Sequence, residues 1–243
     1  ILLGALPPRR QTLGLIRACF GDWERRPLPP VPPARFPQPR RSIVLVNRSG
    51  SVQADIRVGR LAINHSSPDY FPLLVANDIL GGGTSSRLFT NVRERKGYAY
   101  DVHSALVPLR DSGIASVITQ VRNEVLARAL EALLGEMNRL GRRAVTAREL
   151  ARAKNYLSGV FVIRLESQDG LASQLAGVKL MGLPIDFLEK YTSRVRRVEA
   201  QSLQAAAARY FNPEEASIVV VGDAAKVEKQ LAKYSQVIIE EAQ

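Results

Sequence analysis

Apolar positions along this chain change period at several points, and each change marks an element. Val52, Ala54, Ile56 and Val58 alternate with polar neighbours, which predicts a half-buried strand over Val52–Leu61. From Tyr70 to Leu80 the spacing becomes helical, through Phe71, Leu74, Val75 and Ile79. Gly81-Gly82-Gly83 ends that helix. Thr84-Ser85-Ser86 then offers N-cap chemistry for a short helix that carries Leu88, Phe89 and Val92 and stops near Gly97. Strands are expected over Ser42–Val46, Tyr98–Val107 and Gly113–Val121, with Asp111-Ser112-Gly113 as the turn between the last two. Leu126, Leu130, Leu133, Leu134, Met137 and Leu140 form the stripe of a helix that Asn123 can cap and Gly141 ends. Thr146-Ala147-Arg148-Glu149 is a capping box opening a long helix to about Arg164. Helical stretches follow at about Gln168–Met181 and Ala200–Phe211. Ser217–Val221 reads as a buried strand before a last helix through Val227, Leu231 and Tyr234. The fold class is α+β, a mainly antiparallel sheet faced by helices.

The start of the chain echoes its end. Ile1–Leu6 reads as a short strand containing Gly4, stopped by Pro7 and Pro8, before a helix with Leu13, Ile16 and Phe20 on one face. Ile218–Gly222 and the helix after it repeat this order. Strand–glycine–helix units are common, but a duplicated domain also leaves such an echo. On that second reading residues 1–26 are the C-terminal strand–helix remnant of a preceding homologous domain. Residues 27–41 are then a proline-rich linker and 42–243 the main domain. Positions 27–39 hold seven prolines, enough to act as an extended, semi-rigid spacer. The chain begins with Ile rather than Met and reads as part of something longer.

Composition narrows the function classes. The 243 residues are 46% hydrophobic and 23% charged, ordinary for a globular chain able to bury a core. No apolar run approaches the ~18 residues needed to span a bilayer. The formal net charge of +11 favours acidic partners, yet the basic residues are scattered and match no nucleic-acid motif. A solvated basic surface is the expectation, with no nucleic-acid partner. Cys19 has no partner for a disulfide and is expected as a small buried hydrophobe. His65 and His103 are the only histidines, too few for a site built on two or three of them with the right spacing.

The stretch from Ile79 to Tyr100, ILGGGTSSRLFTNVRERKGYAY, resembles the second, non-catalytic domain of the pitrilysin/insulinase-type zinc metallopeptidases, the inverzincins. The strand Gln53-Ala-Asp-Ile-Arg-Val-Gly59, the order of elements and the late Val-Val-Gly-Asp are similar too. The resemblance implies a metalloprotease-like α+β domain that pairs with a catalytic partner of the same family, fused or separate. It also implies that an Arg and a Tyr seven residues apart contact substrate; here these are Arg93 and Tyr100. From the residues alone Arg93 reads as a surface helix position and Tyr100 as core filler. Across a helix end, a seven-residue step can bring both to one cavity. Arg would then donate to a peptide carbonyl or carboxylate, and Tyr beside developing charge on the scissile carbonyl. Tyr98 is expected on the same strand face as Tyr100. Gly81, Gly82 and Gly83 read either as a plain turn between helices or, through the resemblance, as a close-approach loop lining the substrate chamber. No Lys-Ser/Thr follows them, which excludes a phosphate-binding P-loop.

The family's zinc motif, His-x-x-Glu-His, is absent from the chain. The resemblance therefore implies a domain with no catalytic residue, metal or cofactor of its own. Zinc and general base would come from the partner domain, and a peptide or small unfolded protein would be held between the two. The alternative is a structural, scaffold subunit of a larger complex without peptidase work.

Overall fold

A computed structural model describes residues 1–27 and 40–242. Most of the proline-rich segment lies outside the described residues. Strand β1 (Ser42–Asn47) leads into β2 (Gln53–Ala62), where Ala54, Ile56 and Val58 are buried and Gln53, Asp55 and Arg57 are exposed. The alternation in sequence is thus an alternation in space. Helix α2 (Tyr70–Gly81) follows, then a π-helical segment Phe89–Arg95 and strands β3 (Ala99–Pro108) and β4 (Gly113–Arg122). Helices α3 (Leu126–Arg142), α4 (Ala147–Leu165), α5 (Gln168–Leu180), α6 (Phe187–Arg197) and α7 (Ala200–Tyr210) come next. Strand β5 (Ser217–Gly222), α8 (Ala224–Leu231) and β6 (Val237–Glu241) close the fold; α1 (Arg9–Phe20) precedes it.

The sheet order is β3-β4-β2-β5-β1-β6. Pairing is antiparallel for β3–β4, β4–β2 and β2–β5, and parallel where β1 meets β5 and β6. The expected mainly antiparallel sheet faced by helices is found. Its core joins Ile43, Leu45, Ile56, Ile218 and Val220 from the sheet to Leu73, Ile79, Leu130 and Leu133 from the helices.

Several local expectations hold at atomic detail. The Thr146 hydroxyl accepts the Glu149 N–H at 3.1 Å, while the Glu149 carboxylate accepts the Thr146 N–H at 2.8 Å. The capping box therefore satisfies two donors that the first turn of α4 leaves free. Ser86 accepts the Phe89 N–H at 3.4 Å at the head of the π-helical segment.

Others are corrected. Ile1–Leu6 is not a strand: Gly4 has φ +129° and the Leu6 N–H closes on its carbonyl at 2.9 Å, so the run bends before it can pair. Cys19 is exposed, because α1 buries none of its residues. Asn123 does not cap α3 with its side chain. It opens a short 3-10 turn and donates to the Ser51 carbonyl at 2.8 Å. Gln230 of α8 caps the helix instead, accepting the Ala127 N–H at 3.1 Å. Gly141 does not end α3, which runs to Arg142. It is the crossing point with α7, where an added Cβ would lie 2.7 Å from the Ala208 Cα. Helix α6 and strand β6 were not anticipated. Phe187, Tyr191 and Val195 form only a narrow stripe in a stretch dense in Arg, and β6 exists as an edge strand because β1 is there to pair with it.

Two glycines of α3 separate packing from propensity. Gly141→Ala is expected to destabilise the domain by about 1–3 kcal/mol, since the α3–α7 backbones must part. Gly135, exposed and with nothing within 4 Å of an added Cβ, is expected to gain about 0.5–1 kcal/mol on mutation to Ala. Thermal unfolding of the two variants should move in opposite directions.

Candidate functional site

The π-helical segment sets the first half of the site. Its wide turns keep Phe89 and Arg93 on neighbouring faces, and the Arg93 Cζ lies 4.5 Å from the Phe89 ring centroid. Gly97, at φ +61°, then reverses the chain in a conformation that favours glycine. Its N–H donates to the Arg93 carbonyl at 3.1 Å and the Tyr98 N–H to the Val92 carbonyl at 3.0 Å. This closure resembles a Schellman motif, and it feeds the chain directly into β3.

A β-bulge sets the second half. Pairing jumps from Ala99↔Val121 to Val102↔Thr119, leaving Tyr100 and Asp101 in the irregular step. The Asp101 carbonyl accepts the Thr119 hydroxyl at 2.7 Å, and the Asp101 carboxylate sits 2.8 Å from His103 Nδ1. Bulges re-aim side chains, and here Tyr100 is 86% exposed. Its ring centroid is 5.0 Å from the Arg93 Cζ, so the guanidinium lies between Phe89 and Tyr100. Tyr98 and Tyr100 border the same depression, but Tyr98 is not on the strand as expected. Tyr98 precedes β3 and packs on the core, with Lys96 and Arg128 near its ring. Nor is Tyr100 core filler.

The triple glycine sits elsewhere. An added Cβ at Gly81 would lie 2.3 Å from the Ser104 backbone N, and one at Gly82 would lie 2.6 Å from Asp78 Oδ1. Both glycines therefore allow close approach, to β3 and to a carboxylate. Gly83 is open. Helix α4 holds the loop: Arg152 donates to the Ser85 carbonyl, and Arg87 makes a two-point pair with Glu149 at 2.7 and 3.1 Å. Gly81 and Gly82 line a cavity of about 640 Å³ between α2, β3, α4 and α5. Gly82 and Gly83 line a neighbouring one of about 390 Å³. Tyr100 borders a separate depression of about 400 Å³. Gly81, Gly82 and Gly83 do not border that depression, and neither does Arg93, so the pair meets at the surface by ring contact and not across the shared cavity that was expected.

A zinc ion does not fit the donors present. Among the described residues no group of three or more His, Cys, Asp and Glu is placed to hold a metal. His103 is moreover engaged with Asp101. Catalytic zinc takes three protein ligands.

Residues 1–157 match the family model of the peptidase M16 inactive domain. The chain belongs to the peptidase M16 inactive-domain family. It is 30% identical over 200 residues to a protein of Mycobacterium bovis named an uncharacterized zinc protease, covering 80% of this chain and 45% of that one. A Bacillus subtilis protein of similar name is 26% identical over 176 residues, covering 72% and 43%. The crystal structure of a peptidase M16 inactive domain from Pseudomonas fluorescens superposes with TM-score 0.71 at 26% identity, over 80% of this chain and 46% of that one. A protease structure from Helicobacter pylori shares the fold, with TM-score 0.76 at 21% identity over 89% and 53%. The chain spans about half the length of the curated relatives it matches.

One polar residue of this M16 domain was missed from sequence. Asp78 interrupts the apolar run of α2, is only 6% exposed, and borders the cavities of about 640 and 390 Å³. Burial pushes its carboxyl up to about 6 against the opposing charge of Arg152. A polar Asn77-Asp78 step inside a mostly apolar helix was the available signal. Glu149 goes the other way. Burial would raise it, but the Arg87 and Thr146 hydrogen bonds outweigh that and hold it at about 2.

The Asp78 shift has a sign that can be measured. Its folded value lies above the ordinary 3.8, so the stabilisation from protonation is complete below pH 3.8 and lost as pH rises through about 6. Relative to wild type, Asp78→Asn should therefore gain stability between pH 4 and pH 7, by at most about 3 kcal/mol. Denaturant unfolding of both proteins across that range checks it.

Proposed function

We propose that this domain helps hold an extended peptide for a zinc peptidase whose metal and general base belong to a partner domain of the same family. The carrying observation is the Arg93 guanidinium set between Phe89 and the exposed Tyr100 ring. Stacking on two aromatic faces restrains the guanidinium while leaving its N–H edge free to donate. Neither the guanidinium nor the phenol makes a side-chain hydrogen bond or ion pair among the described residues. Arg93 would bind a carbonyl or carboxylate of the peptide, and Tyr100 would donate near the scissile carbonyl as charge develops there. Arg93 precedes β3 and Tyr100 lies at its start; β3 is an edge strand of the sheet, whose free edge could pair with an extended chain. Such backbone pairing is largely blind to sequence, which favours broad specificity for peptides or small unfolded proteins. Gly81, Gly82 and Gly83 would help to wall the chamber formed with the partner.

The boundary at residues 27–41 belongs to the same proposal. Leu13, Ile16, Phe20 and Trp23 around α1 are exposed although apolar, as expected if residues 1–26 pack with a preceding homologous domain.

With the catalytic half restored, Arg93→Ala and Tyr100→Phe should each lower peptide turnover about ten- to a hundredfold, the loss of one charge-assisted hydrogen bond of about 1.5–3 kcal/mol. Unchanged kinetics in both variants would refute the role and favour a scaffold subunit. The chain by itself should hold no stoichiometric zinc and cleave no peptide. Elemental analysis and a peptide-cleavage assay of the purified chain test this directly.

A further inference from the structure

The cavity of about 640 Å³ is a built site that the Arg93–Tyr100 pair does not use. Two unpartnered buried polar atoms and a nearly buried carboxyl border it. The Asp78 carboxyl is 6% exposed and makes no side-chain hydrogen bond among the described residues. Asn77 Oδ1 and His65 Nδ1 are buried and also unpaired. Native proteins leave few buried polar atoms unsatisfied, so two such atoms beside a nearly buried carboxyl, all on one cavity, point to an occupant. A carboxylate and an amide oxygen can only accept when the carboxyl is ionised, and a neutral imidazole with its proton on Nε2 accepts at Nδ1. Burial lowers the His65 pKa, which favours that neutral form.

The remaining wall is aromatic. Phe161 and Tyr191 stack at 3.9 Å with 15° between their planes, and the His65 and Tyr70 rings lie 5.0 Å apart. Ring faces of this kind attract cations and accept aliphatic stems. Gly82 leaves room beside the Asp78 carboxylate, where any Cβ would collide. Arg152 is the opposing charge felt by Asp78, but its guanidinium donates to the Ser85 carbonyl and it lines only the neighbouring cavity, which Asp78 also borders. Arg164 also lines the cavity; it is exposed at the rim, and its charge reaches the Tyr191 phenol.

We propose that this cavity is a side-chain pocket for a basic residue, arginine or lysine, of a bound peptide. The head group would donate to Asp78, Asn77 and His65, and the stem would lie against Tyr70 and Tyr191. Arg164 would meet a backbone carbonyl of the same peptide. This inference rests on the peptide-holding reading above, but its test does not depend on Arg93 or Tyr100.

The experiment uses the 243-residue chain and two blocked amino acids, Nα-acetyl-arginine N-methylamide and its norleucine counterpart, titrated calorimetrically at pH 7.5. Neither probe is long enough to report on turnover. The arginine probe is expected to bind at least tenfold more tightly than the norleucine probe, and Asp78→Asn to abolish that preference. Equal binding of the two probes, no binding of either, or an unchanged preference in Asp78→Asn would overturn the pocket and leave the Arg93–Tyr100 reading standing. The wild-type comparison decides the matter even if the variant folds poorly.

Discussion

The close approach of α2 to β3 at Gly81 is the contact on which the rest of the molecule depends. A hydrogen in place of a side chain lets the end of the helix settle onto the backbone at Ser104. The Ser104 hydroxyl then donates to the Asn77 carbonyl at 2.9 Å, satisfying an acceptor near the end of α2. That seat fixes an edge strand against a central helix. It determines where the glycine loop leaves, where the π-helical segment begins, and how much space remains between α2 and the α4–α5 pair.

From this seat the two features of interest arise in opposite directions. Toward one end of β3, the left-handed turn at Gly97 and the bulge at Tyr100–Asp101 turn a phenol outward onto Arg93. Toward the other, the helices stand off the sheet enough to leave a cavity whose polar edge is Asp78, Asn77 and His65. Neither arrangement is what simple packing favours. A π-helical turn, a bulge and a buried unpaired carboxylate each cost stability, and such departures concentrate at functional positions. Around them the fold is conventional, with a capping box on α4 and a two-point Arg87–Glu149 pair that ties that helix to the end of the glycine loop.

Membership of the M16 inactive-domain family agrees with this economy. Among the described residues no cluster of metal-binding side chains has to be held in place. What the domain presents instead are groups held from behind, the guanidinium beside two rings and the polar and aromatic cavity wall.

Sequence alone determined the elements whose signals are local. Period-2 alternation in β2, the Thr146–Glu149 box and the long apolar stripe of α3 depend on neighbours a few residues away, so they could be read directly. The Ile79–Tyr100 stretch likewise carried the family resemblance, because its residues are contiguous. Tertiary structure decided whatever depends on distant partners. Strand β6 needs β1, the cap of α3 comes from Gln230, and Gly141 proved a crossing with α7 rather than a stop. The exposure of Tyr100 turned on one extra residue in β3, which shifts side chains between faces of a sheet and leaves no mark in composition or spacing. Asp78 was visible as a letter in α2. Its burial, its missing partner and the cavity beside it exist only once α2, α4 and α5 are brought together.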